Sequence, residues 1–191
     1  TARAAGAPSV AVDFGYTDIA EGSFGAKANG KEANFDHPVV NVSWYDCIKW
    51  CNARSEIHGL IPVYYTDVTQ SNIYRKGIVD IGPANVDWNA NGYRLPTEAE
   101  WENAARGGRN DTCFPWRDFV QGLNWFATAL DGTKANFWNS GDEFDNGTTP
   151  ICYFNGAQVI NGRKQGRPMM NGYGLFDMAG NAAEWCWNWY G

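Results

Sequence analysis

Asn91–Gly108 reads NGYRLPTEAEWENAARGG, and its punctuation settles what kind of element sits here. Pro96 biases the residue before it toward extended backbone, so the chain enters straight. Thr97 is a helix N-cap residue, and Glu100, three positions on, closes a capping box in which each side chain satisfies a backbone N–H of the other. Trp101, Ala104 and Ala105 recur at helical spacing and face inward, and Gly107-Gly108 supply the stop. Glu98, Glu100 and Glu102 could suggest acid–base chemistry. Alternate residues do not share a helix face, however, and capping plus the helix dipole account for all three. The stretch reads as a frame and not as a place of chemistry.

A second helix is legible further upstream. His37–Trp44 is a short extended run, and Ser43 with Asp46 forms another capping box, Asp standing where Glu is usual. Trp44, Cys47, Ile48 and Cys51 then fall at i, i+3, i+4 and i+7, and Gly59 ends an amphipathic helix of about four turns. Ile61–Thr66 (IPVYYT) is rich in β-branched and aromatic residues and predicts a strand. Residues 67–91 carry Gly77, Gly82 and Pro83 among several Asn, which favours hairpin and loop. Residues 1–36 show no sustained period, and after Gly108 short apolar runs alternate with Gly, Asn and Asp. There is no internal repeat and no linker-like shift in composition.

Composition narrows the function classes. The 191 residues hold 21 Asp plus Glu against 15 Lys plus Arg, a formal net charge of −6, so a phosphate-backbone partner has no electrostatic footprint and nucleic acid is excluded. Aromatics make up 15% of the chain, with ten Trp, and 22 residues are Gly, the profile of a loop-rich α+β domain with a core of flat side chains. No run approaches the roughly 18 apolar residues of a membrane span. The start, TARAAGAPSV, resembles neither an initiator region nor a strand, and the expectation is a chain that begins part-way through a longer reading frame.

Five cysteines leave one unpaired by arithmetic. Cys47 and Cys51 lie one helical turn apart, a poor geometry for a mutual disulfide, while Cys113 and Cys152 could pair across loops; the pairing of these four and Cys186 stays open. His37 and His58 are the only histidines, and no zinc spacing is present. Nor is there a Gly-x-Ser-x-Gly motif, a phosphate loop, or a Cys with an evident His partner. Two segments offer oxygen ligands of the kind calcium takes. One is KANFWNSGDEFDNG, with Asn136, Asp142, Glu143 and Asp145; the other is FDMAGNAAEW, with Asp177 and Glu184 around a turn at Gly180-Asn181. Solvated turns use the same residues. Trp185, Trp187 and Trp189 alternate, as in a strand covered on both faces, though they could also stack on a sugar or peptide.

Three motifs in order, HPVVNVSWYDCIKWCN, YRLPTEAEWENAARGG and NGYGLFDMAGNAAEW, each resemble a signature of the formylglycine-generating enzyme (sulfatase-modifying factor) family. The resemblance covers His37 to Gly191, and the insertion with PVYYT is similar to one in many bacterial members. It implies an α+β variant of the C-type lectin fold with two helices, small antiparallel sheets and much irregular loop, spanning 1–191 as a single domain incomplete at both ends. It places the second helix beneath a sheet through Trp101. It further implies two calcium sites, one formed by Asp177 and Glu184 side chains with the Gly180 and Ala182 carbonyls. The other would use the Asn136 side chain and Phe137 carbonyl with Glu143 and Asp145, in a loop whose length departs from the family.

Enzymes of the family oxidise a substrate cysteine to formylglycine with oxygen and a copper ion held by two cysteines. Those lie downstream of the EWC segment, after an Arg-Gly-Gly-Ser-Trp-like motif. Neither occurs in these 191 residues, Cys186 falls too early to stand in, Cys51 matches a cysteine whose partner in some members lies in that tail, and Ala183 replaces the usual aromatic. The expectation is therefore a calcium-stabilised binding or scaffold module, not a competent oxidase as the chain stands, with copper relevant only if a further segment exists. The alternatives are a fragment of a copper-dependent formylglycine-generating oxidoreductase and a carbohydrate-binding lectin-like module. A protein or glycan partner and an extracytoplasmic bacterial location, periplasmic, surface or secreted, fit this reading.

Overall fold

The computed structural model describes residues 11–28, 30, 33–110, 114–116, 131–160, 163–164 and 168–188. Regular structure is sparse in them. Helices α1 (Trp44–Ile57) and α2 (Glu98–Arg106) flank a 3-10 turn at Pro83–Asn85; the two-residue strands β1 (Ser23–Phe24) and β2 (Val39–Val40) precede α1, and β3 (Val159–Ile160) and β4 (Arg163–Lys164) follow α2. β1 pairs antiparallel with β2, Phe24 opposite Val39, and β3 with β4, Ile160 opposite Arg163. No helix among the described residues is long and apolar enough to cross a membrane. The contacts gather into two compact units, each built around one helix.

The first unit comprises residues 1–22, 41–96 and 185–191. Its helix starts where the sequence places it. The Ser43 hydroxyl accepts the Asp46 N–H at 3.2 Å and the Asp46 carboxylate accepts the Ser43 N–H at 3.0 Å, so two N–H groups of the first turn are satisfied reciprocally. Trp44, Ile48 and Cys51 face a core completed by Val63, Tyr64, Tyr74, Ile81, Val86 and Trp187. Trp187 stacks on Tyr64 at 5.4 Å between ring centroids and meets Trp44 at the same distance. Flat rings fill this core, as the composition suggested.

Packing alone would not hold the loop between the helices, because loop backbone buried against apolar rings still needs hydrogen bonds. Asn52 supplies them. Fully buried on α1, its amide donates to the carbonyls of Tyr64 (2.7 Å) and Tyr74 (3.2 Å), and its oxygen accepts from the N–H groups of Val63 (3.1 Å) and Tyr64 (3.0 Å). The segment Ile61–Thr66, expected as a strand, consequently forms only isolated antiparallel bridges, Tyr64 with Val86 and Tyr65 with Ile73. A side chain has taken the hydrogen bonds that a neighbouring strand would have made. Ser55 repeats the device, donating to the Cys51 carbonyl and accepting the Tyr93 N–H, both at 2.8 Å. Gly92 is required beside it, since a Cβ there would lie 2.2 Å from the Ile61 carbonyl oxygen.

The second unit comprises residues 23–40 and 97–184. The Thr97 hydroxyl accepts the Glu100 N–H at 3.2 Å, Glu100 returns the bond to the Thr97 N–H at 2.8 Å, and Gly107 ends α2 in the left-handed conformation at φ 59°. Glu102 pairs with Arg106 at 2.6 Å on the exposed face. The Asn171 side chain then caps the helix end, donating to the carbonyls of Ala104 (2.6 Å) and Ala105 (3.1 Å). Ala105 is buried, whereas Trp101 is only half-buried and sends its indole N–H to Glu184 at 2.8 Å. Trp116, Ala135, Phe154 and Met169 form the unit's core.

Asn52→Leu keeps the branched shape but strands three buried backbone groups, the N–H of Val63, the N–H of Tyr64 and the carbonyl of Tyr74, while the Tyr64 carbonyl keeps the Tyr74 N–H; it should cost at least about 3 kcal/mol in chemical denaturation. An effect under 1 kcal/mol would show that water or another side chain replaces it. Thr97→Ala removes one cap and should cost about 1 kcal/mol.

Candidate functional site

The turn from Asp177 to Glu184 is assembled by backbone conformations few residues tolerate. Asp177 (φ 58°), Gly180 (φ 87°) and Asn181 (φ 67°) all lie in the left-handed region, which Asp and Asn enter more readily than other side chains and Gly enters freely. Gly180 has no substitute, because a Cβ would sit 2.1 Å from the Asn136 carbonyl oxygen. That carbonyl accepts the Asn181 N–H at 2.8 Å, and the Asn181 side-chain oxygen accepts the Thr149 N–H at 2.9 Å. The Asn136 amide in turn donates to the Gly147 carbonyl at 2.9 Å. Two asparagines thus strap the turn to the loop that precedes it.

Between turn and loop lies a cleft of about 290 Å³, lined by Val39, Ile151, Cys152, Asp177, Asn181 and Glu184 among others. One oxygen of the Asp177 carboxylate accepts the Cys152 N–H at 2.7 Å; the other, Oδ1, is buried with no hydrogen-bond partner. Burial and, secondarily, the nearby Glu184 charge raise the Asp177 pKa. A desolvated carboxylate with a free oxygen beside a second carboxylate is an unmet demand for positive charge. Among the described residues, the Gly180 and Ala182 carbonyls accept no hydrogen bond and so keep their lone pairs. The Asp177 set therefore fits a hard cation in donor type.

In the other candidate set, protein donors already engage one oxygen of each group. Glu143 accepts the Tyr153 hydroxyl at 2.6 Å, Asp145 accepts the Ser140 N–H at 3.1 Å, and the Phe137 carbonyl accepts the same N–H at 3.0 Å. Asn136 is buried and serves as the strap. Asp142 is buried too, bonded to the Ser140 hydroxyl and the Phe144 N–H. Among the described residues no three or more His, Cys, Asp or Glu side chains gather as a metal cluster, so any ion at Asp177 and Glu184 would draw on carbonyls as well.

The tryptophans part company. Trp187 is core, whereas Trp185 is 50% exposed with its indole N–H donated to the Val42 carbonyl at 3.1 Å; Trp189 lies outside the described residues. Cys47 and Cys51 carry free thiols, as does the exposed Cys152, while Cys113 is outside the described residues. Burial pushes Cys47 up to about 11 and Cys51 up to about 12, and Cys152 is raised as well. None of the three has the lowered pKa of an activated nucleophile. The sequence marks Cys152 only as a possible disulfide partner and Asn181 only as a turn residue, so the place of Cys152 on the cleft and the strap role of Asn181 come from the structure. The only signal for Asn181 was its place after Gly180 in a turn, and the cleft position of Cys152 had none, because its neighbours in space lie 25 residues away.

Comparison with known proteins places these features in a family. A family profile described as "Sulfatase-modifying factor enzyme 1-like domain" matches residues 9–191. The "Chaperone protein LppX" of Paenibacillus barcinonensis is 35% identical over 81% of this chain and 53% of its own length. The formylglycine-generating enzyme of Bos taurus is 29% identical over 81% of this chain and 28% of its own. The "Inactive C-alpha-formylglycine-generating enzyme 2" of Bos taurus is 28% identical over 82% and 35%. The chain spans about half or less of each of these relatives. Among solved structures, that of CarF superposes with a TM-score of 0.61 at 28% identity, covering 94% of this chain and 62% of the other. The fold is accordingly the α+β, C-type-lectin-like architecture expected from the three motifs, and the chain belongs to the sulfatase-modifying factor enzyme 1-like domain family.

Proposed function

We propose that this domain is a non-catalytic binding or scaffold module in which a calcium ion in the Asp177–Glu184 cleft fixes the turn that carries the third motif. The observation behind this is the buried, partnerless Asp177 Oδ1 facing a cleft it shares with Glu184. Calcium would be held by the two carboxylates and the Gly180 and Ala182 carbonyls, and its contribution is charge neutralisation and rigidity. The raised pKa values of Cys47, Cys51 and Cys152 favour a binding role over thiol chemistry. So do relatives named as a chaperone and as an inactive enzyme. An extracytoplasmic bacterial setting suits a site of this kind, since extracellular modules work with calcium affinities of about 10⁻⁴–10⁻³ M. The partner is a protein or glycan, and Trp185 is one of the exposed aromatics available to meet it.

A second reading draws on the 29% identity to a formylglycine-generating enzyme. In it, the domain is part of a copper-dependent oxidoreductase acting on a protein cysteine. Copper-dependent formation of an aldehyde from a cysteine peptide by the full-length protein would establish that reading in place of the first.

Calcium at 100-fold above its Kd should stabilise the domain by about 2.7 kcal/mol, roughly 5–10 °C in Tm, with magnesium ineffective. An unchanged Tm would remove calcium from the proposal. Asn suits the left-handed backbone at position 177 and can still accept the Cys152 N–H, so Asp177→Asn should fold, lose the calcium response and be no less stable than the parent without calcium. The sign with pH follows. An acid whose folded pKa is raised binds more protons folded than unfolded, so its contribution falls as pH rises from about 4 through the folded pKa. In calcium-free titrations the parent should therefore lose stability relative to Asp177→Asn over that window.

A further inference from the structure

Trp50, Arg54 and His58 lie at i, i+4 and i+8, one face at the C-terminal end of α1. Tyr93 is laid against them and fixed there by its N–H bond to Ser55. The Arg54 guanidinium carbon sits 5.2 Å from the Trp50 ring centroid and 5.0 Å from that of Tyr93, so a cation is held between two aromatic faces. The Tyr93 hydroxyl is hydrogen-bonded to His58 Nδ1 at 2.9 Å, which locks the second ring. Tyr93 is 37% exposed and His58 is exposed, so the clamp opens to solvent.

Arg54 is unlike the other paired arginines. Arg75 meets Glu56 and Arg106 meets Glu102, each at 2.6 Å, whereas Arg54 has no carboxylate partner among the described residues and its Nε is buried without a hydrogen bond. A cation in the last helical turn complements the dipole. That accounts for a positive charge here, but not for two rings that hold it at the cost of an unmet Nε–H in a chain of net charge −6. A guanidinium with no such task would extend its head into water.

We propose that Arg54, clamped between Trp50 and Tyr93, receives the carboxylate of an acidic side chain on a partner protein. With Nε enclosed, the carboxylate approaches end-on, its two oxygens on the two Nη groups, while the rings exclude water from the sides of the pair. A single guanidinium suits a planar monoanion. A phosphate dianion would call for several cations or a row of N–H groups, and the protein's own negative charge would resist it. The site belongs to the first unit and the Asp177 cleft to the second, and nothing in the assignment rests on calcium.

The test is a titration of the folded domain with acetyl-Gly-Glu-Gly-amide, followed through the Arg54 ¹⁵Nε–¹Hε NMR signal, with acetyl-Gly-Gln-Gly-amide as control. We expect a saturable shift with the glutamate peptide only, weakened at least threefold when salt rises from about 0.05 to 0.3 M. Arg54→Met keeps the apolar stem and should weaken binding at least tenfold, with Arg54→Lys between the two, since a lysine keeps the charge and loses the fork. Equal binding of the glutamine peptide, no saturable shift in the unaltered domain, or inorganic phosphate binding more tightly than acetate would each overturn the assignment. The first measurement needs no variant, so a misfolded Arg54→Met leaves the test intact.

Discussion

Four hydrogen bonds from one buried amide hold the first unit together. Asn52 presents two donors and two acceptor sites from the inner face of α1, and the backbone of Val63, Tyr64 and Tyr74 takes them all. Without them the loop could not pass close to the helix, because peptide groups buried under Trp44, Tyr64 and Trp187 would have no partner. The aromatic core and the side-chain amide are therefore one device. The rings supply the apolar area, and the amide lets irregular backbone share it. The second unit solves the same problem with Asn171 at the end of α2 and with Asn136 and Asn181 at the cleft.

This explains what the sequence disclosed and what it withheld. Both helices were legible because their ends are chemically marked: Ser43 with Asp46, and Thr97 with Glu100 and Gly107, act on residues three to ten positions away. Ile61–Thr66 was legible only in part: its β-branched and aromatic composition reports burial as much as pairing, and here the pairing stops at single bridges to Val86 and Ile73. Trp101 misled in a milder way, since a helical stripe gives a direction but not the depth at which a ring sits. At the candidate site, Asp177 and Glu184 were visible as acids in a turn. That Asp177 is desolvated, and that Glu143 accepts the Tyr153 hydroxyl, depends on contacts no local pattern records.

Three ordered motifs fix the frame: the first makes α1, the second α2, and the third supplies both the cap on α2 and the turn over the cleft. Motifs of this sort belong to scaffolding as much as to chemistry. Surface features such as the Arg54 clamp lie on the frame without being needed by it, which is how one architecture carries different partners.

The straps have a further consequence, for chemical ageing. An asparagine followed by glycine is the dipeptide most prone to deamidation, because the glycine nitrogen can fold back on the side-chain carbonyl carbon and close a succinimide ring. At Asn171-Gly172 the side-chain nitrogen is tied to two helix carbonyls and the side-chain oxygen to the N–H groups of Tyr173 and Leu175, while the Gly172 nitrogen is wedged so near Gly107 that a Cβ there would come within 2.5 Å of it. The ring closure has no room to begin. The amide that ends α2 is thereby shielded from the slow hydrolysis that its own sequence invites.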